Sequence, residues 1–434
     1  MKCYGLSAEV IRKNIEKITV AVYGLGKMGL PLACVFADRG FNVIGVDINK
    51  NIVEKINSGE NTVKEEEGLD ELVRKVVKNK KLKAVLNSVE ASKISDIHVI
   101  IVPTLLNKNK KPDLNIVKNL MEDISKGLEK GDIVITECTM PPGATESLIP
   151  ILEKSGLICG KDFGLAHCPE RTSTCTAIRD ISGEYPKIVG GVDEKTNTAL
   201  ENIYSIINKK GVIKTDIKTA EAIKVFEGIY RDVNIALSNE LAIYCEENGI
   251  DAKEAFEKAN TQPYCHLHNP GPGVGGHCIP VYPYFIMNKK TELTKISRKI
   301  NNSMVDHVVN LTIKGLNGIR KEFKNSKILI LGLSFRGGVK EVRNSPTIPL
   351  IKKLKELKAD IFLYDPLFTK KEIEKYAKYK EDLENIDCIV IMTEDKKFKN
   401  LNWEKCDNIV VIDTRRILDP KNIKLYYGIG YPAE

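Results

Sequence analysis

The chain has 434 residues, of which 42% are apolar and 29% are charged. This length exceeds what one hydrophobic core supports, so we expect two or three domains. The formal net charge of +8 is spread through lysine-rich stretches, a distribution that excludes a dense nucleic-acid-binding arm and is compatible with a small anionic ligand. The apolar runs are only as long as strands, and the first residues lack a charged-then-apolar leader. We therefore expect no membrane contact and a cytoplasmic location.

The eleven cysteines are scattered without the spacing of a disulfide framework. This pattern is typical of reduced thiols in a cytoplasmic protein. Cys34, Cys245 and Cys388 lie in apolar surroundings, so we expect them in the core.

Strands and helices alternate from the start of the chain. Residues 18–23 form an apolar, β-branched run, followed by a glycine turn and an apolar helical stretch at 30–38. Further strands are predicted at 41–47, 99–102, 132–136 and 187–189. Such alternation predicts an α/β fold with a mostly parallel, doubly wound sheet.

The glycine turn has the spacing Gly24-x-Gly26-x-x-Gly29, and the following strand ends at Asp47. A strand, this turn and a helix, with a carboxylate at the end of the next strand, form the fingerprint of a dinucleotide site. The carboxylate of Asp47 favours NAD over NADP because it repels a 2′-phosphate, although nearby Lys50 weakens that preference. The alternative is an α/β turn that binds no nucleotide.

A long helix is predicted at 219–247, with Asn248 and Gly249 as its stop signal. Its apolar side chains recur at intervals of three and four residues. This stripe predicts a core face or a subunit interface, and its members are Ile223, Phe226, Tyr230, Val233, Leu237, Leu241 and Tyr244.

A second alternating segment starts at Lys327. It comprises strands at 328–331, 388–392 and 409–412, a helix at 346–357 and a strand that ends before Asp365. Ser334 stands where a dinucleotide turn has its second glycine, so the backbone cannot approach a pyrophosphate as closely. We therefore expect this half of the chain to bind a different ligand.

The segment from Gly271 to Pro280 places Cys278 beside His277 on a glycine-rich loop. Such a loop lets a substrate approach the backbone, which favours a nucleophilic thiol over a structural turn. Lys224 and His277 are the candidates for stabilising a thiolate. Zinc is not expected, because the spacing of the candidate ligands Cys265, His266, His268, His277 and Cys278 does not fit one closed site.

These motifs resemble those of the UDP-sugar 6-dehydrogenases, and the resemblance covers nearly the whole chain. Besides the glycine turn and the thiol loop, it rests on Val102-Pro-Thr104, Thr139-Met-Pro-Pro-Gly143, Cys168-Pro-Glu-Arg171, the segment 230–236, Arg343-Asn-Ser-Pro346 and Asp413-Thr-Arg415. The runs Gly-Val-Gly-Gly-His-Cys-Ile-Pro and Cys-Pro-Glu-Arg are similar to the branch that acts on N-acetylhexosamines.

The resemblance implies two Rossmann-like domains with doubly wound parallel sheets, joined by a long central helix and a helical middle domain. The expected boundaries are 1–212 for the NAD-binding domain, 213–310 for a central dimerisation domain and 311–434 for the UDP-sugar-binding domain. The implied activity is a four-electron, NAD-dependent oxidation of UDP-N-acetyl-D-mannosamine at C6, through a thiohemiacetal and a thioester on cysteine. A homodimer, or an oligomer built from dimers, is also implied.

The resemblance also assigns residues to three roles. The catalytic set is Cys278, Lys224, Thr139 and Glu170. The cofactor set is Gly24, Gly26, Lys27, Met28, Gly29, Asp47, Pro103, Thr104, Thr139 and Arg343. The substrate set is Glu170, Arg171, Lys224, Arg231, Asn234, His277, Phe335, Arg336 and Arg415.

Four positions depart from the pattern of the UDP-glucose branch, namely Gly228, Tyr282, Thr174 and Arg336. They argue against glucose as the sugar and leave open which residue activates the hydrolytic water. UDP-N-acetyl-D-glucosamine remains an alternative substrate, because the motifs do not distinguish the two C2 epimers. A regulator that binds nucleotide sugars without catalysis is the alternative of a different class.

Overall fold

The computed structural model describes residues 1–432, apart from the side chains of residues 404 and 405. Its internal contacts group the chain into two compact units. The first comprises Met1–Phe226 with Tyr284–Ile286, and the second comprises Glu227–Pro283 with Met287–Glu434. Among the described residues, no helix combines the length and the apolar character that a membrane span requires.

The first unit is built on an eight-stranded sheet in the order β10-β9-β8-β7-β4-β1-β2-β3. All neighbours in it are parallel except β8 and β9. A short antiparallel pair, β5 and β6, lies outside it. The strands are β1 Thr19–Tyr23, β2 Asn42–Val46, β3 Leu82–Val85, β4 Ile97–Ile100, β5 Leu105–Leu106, β6 Pro112–Asp113, β7 Ile133–Thr136, β8 Gly164–His167, β9 Lys187–Gly191 and β10 Val212–Asp216.

Helices cover the sheet of the first unit. They are α1 Ala8–Lys13, α2 Gly29–Asp38, α3 Lys50–Asn57, α4 Leu69–Lys78, α5 Ser88–Lys93, α6 Asn115–Ser125, α7 Ile149–Leu152, α8 Ala177–Ile181 and α9 Glu194–Ile207. In α2 every residue from Gly29 to Ala37 is buried, because this helix starts at the glycine turn and packs under the sheet. The expected parallel, doubly wound sheet is confirmed.

Helix α10, Ile217–Glu247, runs for 31 residues from the first unit into the second, and Gly249 follows it with φ +68°. Its buried side includes small residues such as Ala236, Ala242 and Cys245. The predicted apolar stripe lies partly on the opposite side. The core interpretation is therefore wrong for its most exposed members, which are Phe226, Tyr230, Leu237 and Tyr244 at 55%, 55%, 44% and 56% exposure.

The second unit contains a six-stranded parallel sheet in the order β13-β12-β11-β14-β15-β16. Its strands are β11 Lys327–Leu331, β12 Asp360–Tyr364, β13 Lys378–Tyr379, β14 Cys388–Ile391, β15 Val410–Asp413 and β16 Tyr426–Gly428. The helices after α10 are α11 Ala252–Ala259, α12 Pro283–Ile286, α13 Glu292–Gly318, α14 Thr347–Glu356, α15 Lys370–Ile373 and α16 Lys396–Lys399.

The two sheets share the same turn after their first strand. Gly24 and Gly332 have φ values of +102° and +105°. A carboxylate at the end of the neighbouring strand, Asp47 in the first unit and Asp365 in the second, accepts the backbone N–H of the residue after each glycine, at 3.0 and 2.8 Å. The predicted repeat of the architecture is therefore confirmed, with Ser334 buried in the second turn.

All eleven cysteines are free thiols. Cys34, Cys245 and Cys388 are buried, as expected. Burial raises the pKa of each of these three thiols, which keeps them protonated and unreactive.

Candidate active site

Each glycine of the first turn has its own role. Gly24 has φ +102°, a backbone conformation that side chains disfavour. A Cβ on Gly29 would lie 1.8 Å from the carbonyl oxygen of Gly24, so only glycine permits this close approach of helix to turn. No atom lies within 4 Å of a Cβ built on Gly26, which leaves that backbone open to a ligand. The turn therefore fits a pyrophosphate at the start of α2.

The Asp47 carboxylate lies at the carboxyl end of β2. It accepts the backbone N–H of Leu25 at 3.0 Å and that of Asn49 at 2.9 Å, which fixes it beside the glycine turn. Ile48 follows with a side chain that is 97% exposed. An apolar side chain so exposed next to the carboxylate that is predicted to bind the ribose suits the face of a nucleotide base. Ile48 was not predicted from the sequence, although an aliphatic residue after a strand-end aspartate was a usable signal.

Two other predicted cofactor residues have partners within the first unit. Lys27 forms an ion pair with Glu65 at 3.3 Å. The thioether sulfur of Met28 lies 3.0 Å from the hydroxyl of Thr172. The glycine turn is thereby connected to the segment that follows Glu170.

Pro103, Thr104 and Thr139 lie just beyond β4 and β7, which are neighbours in the sheet. Pro103 is exposed, whereas Thr104 and Thr139 are half-buried. Since the carboxyl ends of parallel strands meet at one edge of the sheet, all three lie at the edge that also bears the glycine turn. The first unit thus brings nine of the ten predicted cofactor residues to one edge.

Glu170 and Lys224 lie close together in the first unit. The Oε2 atom of Glu170 is 3.9 Å from Nζ of Lys224, and their side chains are only 15% and 10% exposed. Thr172 donates both its backbone N–H and its hydroxyl to Oε1 of Glu170. The carboxylate is therefore oriented by Thr172 and remains within electrostatic reach of the ammonium group.

A buried ion pair lies beneath this carboxylate. Glu137 is 1% exposed, and it binds Nζ of Lys187 at 2.8 Å and the phenolic hydroxyl of Tyr204. Its backbone carbonyl accepts the N–H of Glu170 at 3.1 Å, while Lys187 Nζ lies 3.4 Å from the carbonyl oxygen of Pro169. The pair anchors the segment that carries Glu170. Glu137 and Lys187 were not predicted from the sequence, because nothing local in the sequence links them.

Arg171 is held in the same segment. Its guanidinium group lies 5.1 Å from the ring centre of Tyr185, and Nη1 donates to the carbonyl of Pro186 at 3.3 Å. The Tyr185 hydroxyl donates to the Arg171 carbonyl at 2.7 Å.

The two other predicted substrate residues on α10 belong to the second unit. Arg231 is exposed, whereas Asn234 is half-buried and accepts the backbone N–H of His268 at 3.0 Å. Asn234 therefore anchors the start of the thiol loop to the helix.

Cys278 is exposed, whereas the other ten cysteines are buried or half-buried. Its carbonyl oxygen accepts the N–H groups of Val281 and Tyr282 at 3.0 and 2.9 Å, so the thiol sits at the start of a tight turn. This exposure agrees with a nucleophilic role.

His277 is bound on both ring nitrogens. Nη1 of Arg343 lies 2.9 Å from Nδ1, and Oε2 of Glu341 lies 2.9 Å from Nε2. Because a guanidinium group only donates, Nδ1 must be the acceptor and Nε2–H donates to Glu341. His277 is therefore engaged as a neutral imidazole, and it is not a free base for the thiol. Arg343, predicted at the cofactor, binds His277 within the second unit, and its cofactor role stays a prediction.

The glycines of the thiol loop are required by side chains that lie just after strands β11 and β15. A Cβ on Gly275 would lie 2.5 Å from Cβ of Phe335, and one on Gly271 would lie 2.7 Å from Nη1 of Arg415. Arg415 is itself held by the carbonyl of Met392 at 3.0 Å. The second unit thus gathers Phe335 and Arg415 around the loop, while Arg336 is exposed.

The departures at Gly228 and Tyr282 are linked in space. A Cβ on Gly228 would lie 2.2 Å from Cδ2 of Tyr282, whose side chain is 7% exposed. The tyrosine ring thus occupies the space that a side chain at position 228 would need.

No group of three or more His, Cys, Asp or Glu side chains suited to a metal ion occurs within residues 1–432 as described. The cysteine and histidine residues near the thiol loop therefore form no such cluster in the described part of the chain.

Three models of one family match successive parts of the chain. Residues 18–208 match the NAD binding domain of the UDP-glucose/GDP-mannose dehydrogenase family. Residues 218–306 match its central domain, and residues 329–420 match its UDP binding domain.

Individual relatives match over nearly the full length. UDP-N-acetyl-D-mannosamine dehydrogenase of Pyrococcus horikoshii is 36% identical, over 95% of this chain and 99% of the relative. The NDP-N-acetyl-D-galactosaminuronic acid dehydrogenase of Ralstonia nicotianae is 33% identical, over 94% and 98%. A solved structure of the UDP-D-ManNAc dehydrogenase from Pyrococcus horikoshii matches with a TM-score of 0.88 at 35% identity, covering 95% of this chain and 99% of that one.

Proposed function

Because the chain belongs to the UDP-glucose/GDP-mannose dehydrogenase family, we propose that it oxidises UDP-N-acetyl-D-mannosamine at C6 to the uronate, with NAD as the oxidant. The exposed thiol of Cys278 on its glycine loop is the observation that carries this proposal. The choice of sugar follows the relatives that bear this name.

NAD, when bound at the glycine turn, accepts a hydride in each of two oxidations. Loss of the first hydride from the C6 alcohol leaves an aldehyde, and the sulfur of Cys278 adds to its carbonyl carbon to form a thiohemiacetal. Loss of the second hydride gives a thioester. Water then cleaves the carbon–sulfur bond and releases the carboxylate and the thiol. One alcohol, one water and two NAD thus give one carboxylate, two NADH and three protons.

The other residues act on charge and on protons. Lys224 stabilises the oxyanion that forms at C6 when sulfur or water adds. Glu170, held by Thr172, accepts a proton from the hydrolytic water, and Thr139 orients that water. The Lys224 ammonium group lies 3.9 Å from the Glu170 carboxylate, so the two groups can act on the same reacting centre.

The substrate set binds the nucleotide sugar in this proposal. Phe335, Arg336 and Arg415 contact the UDP-sugar, and Arg343 lies near the cofactor. The functional boundaries that we propose are 1–212 for NAD binding, 213–310 for dimerisation and 311–434 for the UDP-sugar.

Substrate oxidation is tested by the NADH formed per sugar consumed. The purified protein is incubated with NAD and, separately, with UDP-N-acetylmannosamine, UDP-N-acetylglucosamine, UDP-N-acetylgalactosamine and UDP-glucose. Two NADH per UDP-N-acetylmannosamine are expected. A preference for the gluco or galacto sugar would keep the mechanism and change the substrate, whereas tight binding without NADH from any sugar would favour the non-catalytic regulator.

The thiol mechanism is tested by Cys278→Ala, which should abolish uronate formation while NAD still binds. Cys265→Ala is the matched control, because Cys265 is a half-buried thiol close by in the sequence. Full uronate formation by Cys278→Ala would refute the mechanism.

We also propose a cytoplasmic homodimer formed through the exposed stripe of α10. Four large apolar side chains exposed on one helix are typical of a protein interface. Light scattering should give twice the mass of the 48.5 kDa chain. The double substitution Leu237→Glu/Tyr244→Glu should lower that mass, and a monomeric wild type would refute the proposal.

A further inference from the structure

Four buried polar side chains of the first unit form a connected chain of hydrogen bonds. It starts at Glu221, which is 0% exposed and lies on α10 three residues before Lys224. The Glu221 carboxylate accepts the backbone N–H of Gly143 and, at 2.7 Å, the backbone N–H of Thr145. Glu221 thus binds the loop that begins at Thr139.

The chain continues through two threonines to a histidine. Oγ1 of Thr145 lies 2.9 Å from Oγ1 of Thr136, and Thr136 Oγ1 lies 2.9 Å from Nδ1 of His167. All of these side chains are 0% exposed. His167 is the last residue of β8, three residues before Glu170.

The position of the proton on a neutral His167 follows from the partners of its two ring nitrogens. Nδ1 lies next to the hydroxyl of Thr136, whereas Nε2 has no hydrogen-bond partner among the described residues. A proton on Nε2 would be a buried donor without an acceptor, which is unfavourable. His167 must therefore carry its proton on Nδ1 and leave Nε2 bare.

The surroundings of His167 support a neutral ring. Burial, together with the charges of Lys187 and Lys224, lowers the pKa of His167 to about 3. Its Nε2 atom has no hydrogen-bond partner among the described residues. A protonated ring would also bring a second donor into this buried space.

The chain therefore joins three segments that each carry one proposed catalytic residue. These are α10 with Lys224, the loop after β7 with Thr139, and the end of β8 with Glu170. We propose that Glu221 and His167 are positioning residues, which hold Lys224, Thr139 and Glu170 in register through Thr145 and Thr136, with His167 fixed as the Nδ1–H tautomer. This inference rests on the proposed function and adds two residues to its machinery.

The kinetic test uses isosteric substitutions. Glu221→Gln places an amide donor against the N–H of Gly143 or Thr145, and Thr136→Val interrupts the chain at its centre. Each should lower kcat by about tenfold to a hundredfold, since a displacement of about 1 Å has effects of this size. The KM for NAD should change less than kcat does, because the glycine turn is not part of the chain and Thr139 is the only member of the predicted cofactor set that the chain holds. Glu221→Asp, which retains an acceptor, should recover part of kcat.

The matched control is Thr312→Val. Thr312 is also 0% exposed, but its hydroxyl donates to the carbonyl of Val308 within its own helix, at 2.8 Å. It should keep the wild-type kcat. The double variant Thr136→Val/Thr145→Val should lose no more activity than one single variant, because both substitutions break the same chain.

A spectroscopic test is independent of turnover. The nitrogen-15 spectrum of histidine-labelled protein should show His167, assigned through His167→Gln, as the Nδ1–H tautomer at pH 7. Thr136→Val should change the populations of its two tautomers. An Nε2–H tautomer or a charged ring in the wild type would overturn the inference, and so would an unchanged kcat in Thr136→Val. Failure of the proposed function would instead show as a wild type that forms no NADH.

Discussion

Gly228→Ala tests whether Tyr282 positions the thiol loop. The added Cβ would lie 2.2 Å from Cδ2 of Tyr282, whereas ordinary contact starts near 3.4 Å, so the ring has to move by about 1.2 Å. The N–H of Tyr282 donates to the carbonyl of Cys278 at 2.9 Å. A displaced ring therefore displaces the turn that carries the thiol.

The two contributions to stability have opposite signs. Alanine favours the helix over glycine by about 1 kcal/mol, while overpacking costs about 1–3 kcal/mol. Gly228→Ala should thus destabilise the protein by up to about 2 kcal/mol while Tyr282 is present. In a Tyr282→Ala background most of the clashing atoms are absent, and the same substitution should stabilise by up to about 1 kcal/mol.

The assay is thermal unfolding of the wild type, Gly228→Ala, Tyr282→Ala and the double variant. A change of 1 kcal/mol in stability should shift the melting temperature by about 2–4 °C. Gly228→Ala alone should also lower kcat by about a hundredfold, because the thiol is misplaced by about 1 Å. The same sign of the Gly228→Ala effect in both backgrounds would refute the contact, and an unchanged kcat would refute its effect on Cys278.

Three further predictions follow from buried or anchored charges. Asp47→Asn should raise the KM for NAD about tenfold with little change in kcat, because the carboxylate anchors the glycine turn and is predicted to bind the ribose; an unchanged KM in initial-rate measurements would contradict this. Glu137→Gln should destabilise the protein by up to about 3 kcal/mol in thermal unfolding, because half-buried Lys187 loses its partner, and Glu137→Gln/Lys187→Met should be less destabilised. The exposed pair Lys13–Glu9 is the control, with an expected effect below about 0.5 kcal/mol for Lys13→Met. In the unfolded chain His167 binds a proton below its ordinary pKa of 6.5, whereas in the folded chain it does so only below a pKa of about 3. The free energy of unfolding should therefore decrease as the pH is lowered from 6.5 to about 3. His167→Gln should remove about 1.4 kcal/mol per pH unit from that slope, and equal slopes would refute the buried neutral ring.

Local patterns predicted much of the fold. The strands that became β1, β2, β4, β7, β9, β11, β12, β14 and β15 were recognisable, because each is a short β-branched or apolar run. The length of α10 and its stop at Asn248 followed from periodicity and glycine. By contrast, α13 with its 27 residues escaped notice, since its exposed positions interrupt the apolar pattern. The short edge strands β13 and β16 have too few residues for a pattern.

Site residues could be predicted from the sequence only where a single short motif contains them. Glycine spacing identified the turn at Gly24, and the loop composition identified Cys278. His277 has two partners, Arg343 and Glu341. Both lie more than sixty residues away in the sequence, and no local pattern connects them with His277. The same holds for Glu137 and Lys187. Their pairing depends on β7 and β9 being placed on either side of β8, which is a property of the sheet topology.

The thiol loop is short of side chains of its own, and this shapes how the family can vary. Gly271, Gly275 and Gly276 lie against Arg415 and Phe335, which follow strands β15 and β11. The geometry around the nucleophile is therefore encoded outside the loop that bears it. We expect sequence change that alters sugar choice to accumulate on these supporting side chains, while the loop itself stays constant and continues to present its sulfur.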